Sequence, residues 1–107
     1  MKYPLLPSDF NFQEAIPLWK INTEAKVISR EFIFTDFMQA FEFMKQCAEY
    51  ANELDHHPDW SNAWNKVSVN LSTHSEGQIT QLDIQMAKKM DTLALEISAH
   101  HPHDPLR

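Results

Sequence analysis

Alternating hydrophobic and polar residues predict three β-strands. Residues 26–34 alternate between an apolar side and a more polar one, the period of two that a strand with one buried face shows. Residues 64–73 alternate in the same way, and residues 19–22 form a shorter strand-like stretch. The positions predicted to face the core in the two longer strands are Ile28, Phe32, Phe34, Val67, Val69 and Leu71.

An apolar repeat at three- and four-residue steps predicts a long helix after the second strand. Asp36 is placed to cap the amide of Gln39, and the helix is expected to end by about His56, ahead of Pro58. Lys45, Gln46, Glu49 and Glu53 are predicted to face solvent. The predicted core stripe consists of Phe37, Ala40, Phe41, Met44, Cys47, Ala48, Ala51 and Leu54.

A second long helix is predicted to open at Thr80. Asp83 stands three residues on, where a carboxylate complements a threonine cap and the helix dipole. The same residue begins the inward face of the helix, so an aspartate is predicted at the buried start of an apolar stripe. That stripe consists of Asp83, Met86, Ala87, Met90, Leu93, Ala94 and Ile97.

The two ends of the chain carry weaker patterns. Ser8 is placed to cap a short helix over residues 9–16, which Pro17 ends, and residues 1–18 are otherwise expected to be irregular. Residues 100–107 hold two prolines and no apolar period, so we expect a disordered tail. Without a repeat or a domain boundary, residues 1–107 are predicted to form a single domain.

Composition narrows the class of protein. The chain has 107 residues, 43% of them hydrophobic, which suits one core and leaves no room for a separate cofactor domain. Its formal charge of −6 disfavours direct binding to nucleic acid or to an anionic membrane surface. Cys47 is the only cysteine and lies on the apolar side of the first long helix, which indicates a buried thiol in a reducing compartment.

The chain carries no segment that predicts membrane insertion or secretion. No stretch approaches the roughly 18 to 20 continuous apolar residues of a membrane span. The first residues are too short and too rich in proline for a secretory signal. We therefore expect a cytoplasmic protein, with a nuclear location left open.

Three histidines lie at the ends of predicted elements, where side chains can face a cleft. His56 and His57 follow the first long helix, and His74 follows the strand 64–73. Histidine is the side chain best suited to give or take a proton near neutral pH. With Asp83 and the rings of Trp60 and Trp64, these histidines would suit proton transfer on a planar heterocycle.

Each of these features also has a purely structural explanation. The histidines before Pro58 would then form a solvated turn, Trp60 would be a core residue, and Asp83 would only cap its helix. The residue pattern by itself leaves both readings open.

Metal binding and nucleophilic catalysis are disfavoured. His56 and His57 are neighbours in a predicted extended segment, so their side chains point apart, and no paired cysteines or His-Glu-x-x-His spacing complete a zinc shell. The histidines of residues 100–103 have no rigid element to hold them. Cys47 is predicted to be buried, and no serine sits in a strand–turn–helix elbow. We therefore expect no metal and no covalent intermediate.

Four segments closely resemble the pterin-4a-carbinolamine dehydratase family. They are Asp55-His56-His57-Pro58-Asp59-Trp60-Ser61-Asn62, Trp64-Asn65-Lys66-Val67, Leu71-Ser72-Thr73-His74 and Ile79-Thr80-x-x-Asp83. Residues 30–37 and the pairs Ala40-Phe41 and Phe43-Met44 are similar to the family as well. The resemblance covers about residues 19–91, and its motifs stand in a fixed order at matching spacings.

The resemblance implies a fold and an assembly. The fold is a single-domain α+β structure with a four-stranded antiparallel sheet and helices packed on one face. Because the residue pattern predicts three strands, the fourth would lie near residues 60–62. The family forms homodimers or homotetramers, and its animal member is also the dimerisation cofactor of a homeodomain transcription factor, so a transcription-factor partner is an alternative function.

The implied reaction is the loss of water from a 4a-hydroxytetrahydropterin to give a quinonoid dihydropterin. This step recycles the cofactor of aromatic amino acid hydroxylases, and the family carries it out with no metal and no bound cofactor. A relative that acts on another pterin is a further alternative.

The resemblance also implies roles for single residues. His56 and His74 match the family's acid–base histidines, and His57 matches the histidine that binds and orients the pterin beside them. Asp83 matches an aspartate near the histidines, which orients a histidine, raises its proton affinity or only caps the helix. The residues that match the substrate-binding wall and loop are Pro58, Trp60, Thr73, Ser75 and Glu76.

The chain departs from the family at two positions. Asn52 stands where an acidic residue is frequent, and Leu82 stands where some members carry arginine. A carboxylate from the first long helix and a charged gate beside Asp83 are therefore not expected.

Overall fold

The computed structural model describes residues 5–100, except for the side chain of His100. In chain order its elements are α1 (Phe12–Ala15), β1 (Lys20–Asn22), β2 (Val27–Ile33), α2 (Phe37–Leu54), β3 (Asp59–Ala63), β4 (Lys66–Leu71), a 3₁₀ turn (His74–Glu76) and α3 (Gln81–His100). The strands form one antiparallel four-stranded sheet in the order β1-β2-β4-β3. The α+β class is thus confirmed, and the predicted tail lies outside the described residues apart from His100, which ends α3.

The centre of the sheet is the pairing of β2 with β4. Ile28 is opposite Leu71 and Phe32 is opposite Val67, so the apolar sides of the two strands share one face. These four side chains are at most 2% exposed. The predicted core positions of both strands are therefore confirmed.

Strand β3 is the fourth strand, and it pairs with β4 along residues 59–63. The hairpin turn between them corrects the predicted start of β4, which begins at Lys66 and not at Trp64. Trp64 has φ 52° and is 67% exposed at the tip of the turn. The Nδ2 of Asn62 donates to the carbonyl oxygens of Trp64 (3.0 Å) and Lys66 (2.9 Å), which stabilises the turn and excludes Trp64 from the strand.

The long helices cover the apolar face of the sheet. The rings of Phe32 on β2 and Phe43 on α2 have centroids 4.6 Å apart, and α2 also packs along α3. Every residue of the predicted α3 stripe is buried, including Asp83. Cys47 on α2 is 0% exposed, as predicted, within this core.

The predicted stripe of α2 is only partly correct. Phe43, which the prediction left out, is 0% exposed, whereas Phe37 and Phe41 are 42% and 53% exposed, and Ala48 is exposed too. Two adjacent apolar rows run along this helix, and the row containing Phe43 is buried because its ring reaches Phe32 and Phe34. The other row flanks the core.

The capping of α2 agrees with the prediction. Asp36 Oδ1 accepts from the amide of Gln39 at 2.9 Å. In return, the Gln39 side chain accepts from the amide of Thr35 at 3.0 Å, one residue ahead of the cap. This pair of bonds explains why Gln39, a polar residue, is only 6% exposed.

The N-terminal helix differs from its prediction. It begins at Phe12 because Asn11, not Ser8, is its cap, with Asn11 Oδ1 accepting from the Glu14 amide at 3.0 Å. Ser8 instead lies in a turn in which the Phe10 amide donates to the Pro7 carbonyl at 3.1 Å. The predicted helix over residues 9–16 is thus reduced to one turn.

Asp91 on α3 links that helix to the sheet. Its Oδ1 accepts from Trp19 Nε1 at 2.9 Å and from the Arg30 guanidinium. The guanidinium also lies 4.2 Å from the centroid of the Phe32 ring. This arrangement explains how Arg30 can interrupt the apolar side of β2. No helix within residues 5–100 is long and apolar enough to cross a membrane.

Candidate active site

The C-terminus of α2 turns His56 toward the interior. Asp55 adopts the left-handed conformation (φ 52°), and the amides of Asp55 and His56 donate to the carbonyls of Asn52 (3.3 Å) and Ala51 (3.0 Å). These two bonds form a Schellman motif, which ends the helix at Leu54. His56 is consequently only 9% exposed, although it follows a surface turn.

The buried partner of His56 is Asp83, in the first turn of α3. The distance from His56 Nε2 to Asp83 Oδ1 is 2.6 Å, and Asp83 is 0% exposed. Asp83 Oδ2 accepts from the amide of Thr80 at 2.9 Å and from the hydroxyl of Thr73 at 2.8 Å. The aspartate therefore contacts both the start of α3 and the His56 ring, and its role in the site stays a prediction.

These contacts determine which nitrogen of His56 is available. A carboxylate surrounded by donors accepts at both oxygens, so Nε2 of the neutral ring carries the proton. Within residues 5–100 Nδ1 has no hydrogen-bond partner, yet no buried polar side-chain atom there is unpaired. Nδ1 is therefore not fully buried, and it is the nitrogen of this ring that the described residues leave without a partner.

A short closed loop presents His74. The amide of Thr73 donates to the carbonyl of Gln78 at 3.1 Å, and the amide of Gln78 donates back at 3.4 Å. Gly77, with φ 62°, closes the loop between them. His74 and Ser75 are exposed on this loop, just beyond β4 as the strand period predicted.

His57 and His74 share one surface concavity. They line it together with Val27, Asp59, Asn70, Leu71 and Ser72, and its volume is about 40 Å³. The distance from His57 Nε2 to Asn52 Oδ1 is 3.0 Å, so the amide that replaces an expected acidic residue contacts this histidine. The three histidines therefore lie at one end of the molecule, where α2 and β4 end and α3 begins.

The residues of this site lie within a segment that matches a known protein family. The model of the pterin 4 alpha carbinolamine dehydratase family matches residues 8–93, which include all three histidines and Asp83. The chain belongs to this family.

Relatives of the dehydratase family support the assignment. A Brucella ovis protein with the provisional name pterin-4-alpha-carbinolamine dehydratase is 51% identical over 80 residues, which are 75% of this chain and 82% of that protein. A Brucella canis protein with the same provisional name matches equally well. The crystal structure of a transcriptional coactivator/pterin dehydratase from Brucella melitensis has 46% sequence identity and a TM-score of 0.76, and the match covers 84% of this chain and 98% of that one.

A more distant structure shares the dehydratase fold. It is a pterin dehydratase-like protein identified as a RuBisCO assembly factor in the alpha-carboxysome, with 19% identity and a TM-score of 0.62. The match covers 71% of this chain and 88% of that one. At this identity the likeness concerns the fold alone.

The remaining predicted site residues fall into different surroundings. Pro58, Trp60 and Glu76 are half-buried, and Trp60 packs against the core from β3. Thr73 is 2% exposed, so its side chain lies behind the surface that carries His74. Trp64 lies at the tip of the β3–β4 hairpin, the end of β4 away from the histidines, and the prediction that it joins the site is wrong.

Sequence reasoning missed five residues of the concavity, which are Val27, Asp59, Asn70, Leu71 and Ser72. Asp59 and Asn70 are paired across β3 and β4, and Val27 lies on the strand beside them. The boundary between β3 and β4 was the missing signal, because the pairing register depends on it. Sequence reasoning also missed the contact between Thr80 and Thr73, whose Oγ1 atoms are 2.7 Å apart.

Cavity size does not mark the histidine site. A larger cavity of about 510 Å³ lies on the outer face of the sheet, where it is lined by residues such as Lys20, Ser29 and Ser68. None of its lining residues is a histidine. Among residues 5–100, no three His, Cys, Asp or Glu side chains cluster closely enough to hold a metal ion.

Proposed function

We propose that this member of the family is a hydro-lyase that converts a 4a-hydroxytetrahydropterin into the quinonoid dihydropterin and water. The observation that carries the proposal is the 2.6 Å contact between His56 and the fully buried Asp83. It leaves one ring nitrogen of His56 without a hydrogen-bond partner in residues 5–100, and the neighbouring His57 lines a concavity together with His74. Family membership and relatives of 51% identity support the same activity.

The reaction needs two proton transfers and no change of oxidation state. One histidine gives a proton to the 4a-hydroxyl group, so that the bond from carbon 4a to oxygen breaks and water leaves. The other takes the proton of the adjacent ring nitrogen, whose electrons form the new carbon–nitrogen double bond. His56 and His74 divide these roles, and a positioned acid or base typically contributes roughly 10² to 10⁴ in rate.

The other residues of the site bind the ring. His57 is held at Nε2 by Asn52 and can bind the pterin through its other nitrogen. The family resemblance assigns Pro58 and Trp60 to one wall of the substrate site, and Ser75 and Glu76 lie on the loop that presents His74. Because the concavity is only about 40 Å³, the flat ring would lie across its mouth. We propose that the reaction uses no resident metal or cofactor, since its atoms balance by proton transfer alone.

The test measures the decay of the 4a-carbinolamine that phenylalanine hydroxylase releases. The purified protein should accelerate this decay, and His56→Ala and His74→Ala should each lower kcat/KM by roughly 10²-fold or more. Lys88→Ala, on the exposed side of α3, is the control and should keep wild-type activity. If the wild type gives no acceleration, the dehydratase proposal is wrong; if activity survives the removal of both histidines, the residue roles are wrong.

We also propose that the chain forms a homodimer or homotetramer in the cytoplasm. Its support is an apolar end that exposes Ile33, Phe37, Met38, Phe41 and Trp64 by 42–68%. Such a surface is typical of protein interfaces. The Brucella melitensis relative is called a transcriptional coactivator as well as a dehydratase, and the same apolar end is where we would place a transcription-factor partner.

A further inference from the structure

We propose that Thr73 and Thr80 are positioning residues of the active site, whose hydroxyl groups hold Asp83 so that His56 keeps its proton on Nε2. The inference rests on the proposed function only in taking His56 as a reacting histidine. It assigns Thr73 a role behind the site in place of the substrate contact that the family resemblance implies.

The direction of the hydrogen-bond chain follows from counting protons. Each threonine hydroxyl has one proton to donate. Thr73 Oγ1 gives its proton to Asp83 Oδ2 at 2.8 Å, so in the 2.7 Å contact between the two hydroxyls Thr80 is the donor. Thr80 Oγ1 in turn accepts from the amide of Leu82 at 3.2 Å. All donors along the chain therefore point toward the carboxylate.

Burial strengthens this chain of hydrogen bonds. Thr80 and Asp83 are 0% exposed and Thr73 is 2% exposed, so no bulk water competes for these groups. In a water-poor interior, hydrogen bonds to a charged group are stronger and successive bonds polarise one another.

The chain of hydrogen bonds also determines which oxygen of the Asp83 carboxylate faces the histidine. Oδ2 is occupied by the Thr73 hydroxyl and by the Thr80 amide, at 2.8 and 2.9 Å. Rotation of the carboxylate would break both bonds, so Oδ1 remains the acceptor for His56. The ring is thereby held with Nε2–H inward and Nδ1 toward the substrate, following the general rule that the partner of one ring nitrogen selects the state of the other.

Helix capping alone does not account for the Thr73 hydroxyl. The cap of α3 is complete when Asp83 accepts from the Thr80 amide and Thr80 accepts from the Leu82 amide. Thr73 lies beyond the end of β4, seven residues before Thr80, and adds nothing to that cap. Its hydroxyl reaches the aspartate from the loop that carries His74, and so it joins the two parts of the site.

The experiment compares Thr73→Val with Thr73→Ser in the full chain. Valine keeps the shape and removes the donor, whereas serine keeps the donor and loses a methyl group. We measure kcat and KM for carbinolamine dehydration, the affinity for a dihydropterin by fluorescence, and the ¹⁵N NMR signals of the His56 ring. A His56→Gln sample assigns those signals among the six histidines.

Thr73→Val should lower kcat about ten- to a hundredfold and leave dihydropterin affinity within about twofold of wild type. The ring signals should change from a single Nε2–H form to a mixture of the two neutral forms, and Thr73→Ser should resemble the wild type in every measurement. Thr80→Val should show a smaller loss, because the bond from Thr73 to Asp83 remains. If Thr73→Val does not fold, the same measurements on Thr80→Val test the positioning role.

Three results would overturn the inference. They are an unchanged kcat and unchanged ring signals in the valine variants, a serine variant as impaired as the valine variant, and a loss confined to ligand affinity, which would make Thr73 a substrate contact. If the wild type is inactive, the proposed function falls separately, and the ring signals of wild type and Thr73→Val alone decide the positioning role.

Discussion

Asp83 shows how one residue can serve the fold and the site together. Its carboxylate caps α3 through the Thr80 amide and holds His56 through its other oxygen. An aspartate at the buried start of an apolar helix would be costly to desolvate without such partners. Three donors reach it: the Thr80 amide just ahead of α3, the Thr73 hydroxyl beyond β4 and the His56 ring beyond α2. Its burial therefore depends on contacts that are far apart in the sequence.

Cys47 carries a buried thiol that has no role in the proposed mechanism. Burial raises the pKa of this thiol from 9.0 to about 12, and the charge of Lys89 opposes the rise only in part. Between these two values the unfolded chain loses a proton that the folded chain retains. Stability should therefore be fully present below about pH 9 and fall as the pH rises toward 12.

This pH dependence can be measured against a matched variant. Between about pH 8 and about pH 10.5, the free energy of unfolding of the wild type should fall by up to about 2 kcal/mol more than that of Cys47→Ala. Urea unfolding curves of both proteins at each pH give the difference, and the subtraction removes the lysines and tyrosines that titrate in the same range. Equal losses in the two proteins would contradict the assigned pKa.

At the scale of elements, α2 shows the limit of a hydrophobic pattern. Both of its apolar rows satisfy the helical repeat, and only contact with Phe32 and Phe34 on the sheet decides that Phe43 is buried and Phe41 is not. In α3 the whole predicted row is buried, and Leu82 and Ile84 beside its start are buried as well. A helix with two candidate faces needs a partner before either face is determined.

The loop between β4 and α3 depends on one glycine. Gly77 has φ 62°, and a Cβ atom built there would meet no atom within 4 Å, so only backbone strain opposes a side chain. Gly77→Ala should destabilise the protein by about 1 kcal/mol, while Gly77→Asn should cost clearly less because asparagine tolerates the left-handed region. Urea unfolding measures both, and equal costs for the two variants would show that this conformation is not retained.

At the scale of the whole molecule, the candidate chemistry and the exposed apolar surface lie at opposite ends. α2 has 18 residues and is about 27 Å long, with Phe37 at its start and His56 just beyond its end. The hairpin tip is joined to the same start of α2, since the Asn65 side chain donates to the Phe34 carbonyl at 2.8 Å. The apolar end can therefore be covered by another chain without closing the histidine site.

This arrangement predicts how the assembly responds to substitution. The wild type should sediment as a dimer or tetramer, and Phe37→Ser with Phe41→Ser should shift it toward the monomer, because their exposed rings, 5.9 Å apart, would lose apolar contact area. Gln85→Ser is the control, since Gln85 is exposed in the second turn of α3, close to Asp83 and the histidine end. Sedimentation velocity measures the outcome, and a monomeric wild type would rule out the proposed assembly.

Local pattern was sufficient wherever one interaction partner was unambiguous. The period of two in β2 and β4, the single stripe of α3 and the cap at Asp36 were all predicted from the residues and are found in the structure. These features depend on neighbours within a few positions, and backbone geometry leaves them few alternatives. The family and its α+β fold could be named from ordered motifs for the same reason.

Tertiary structure alone decided what depends on distant contacts. The strand boundary at Lys66 sets the pairing that places Asp59 beside Asn70. The sheet beneath α2 decides which of its apolar rows is buried. The hydrogen bonds from Thr80 through Thr73 to Asp83 exist only once the end of β4 and the start of α3 meet. Spacing in the chain indicated the residue types of the site, but the available nitrogen of His56 depends on which atoms pack around its ring. Hydrogen bonds of this kind join residues that no local pattern relates, and so they are determined only when the chain has folded.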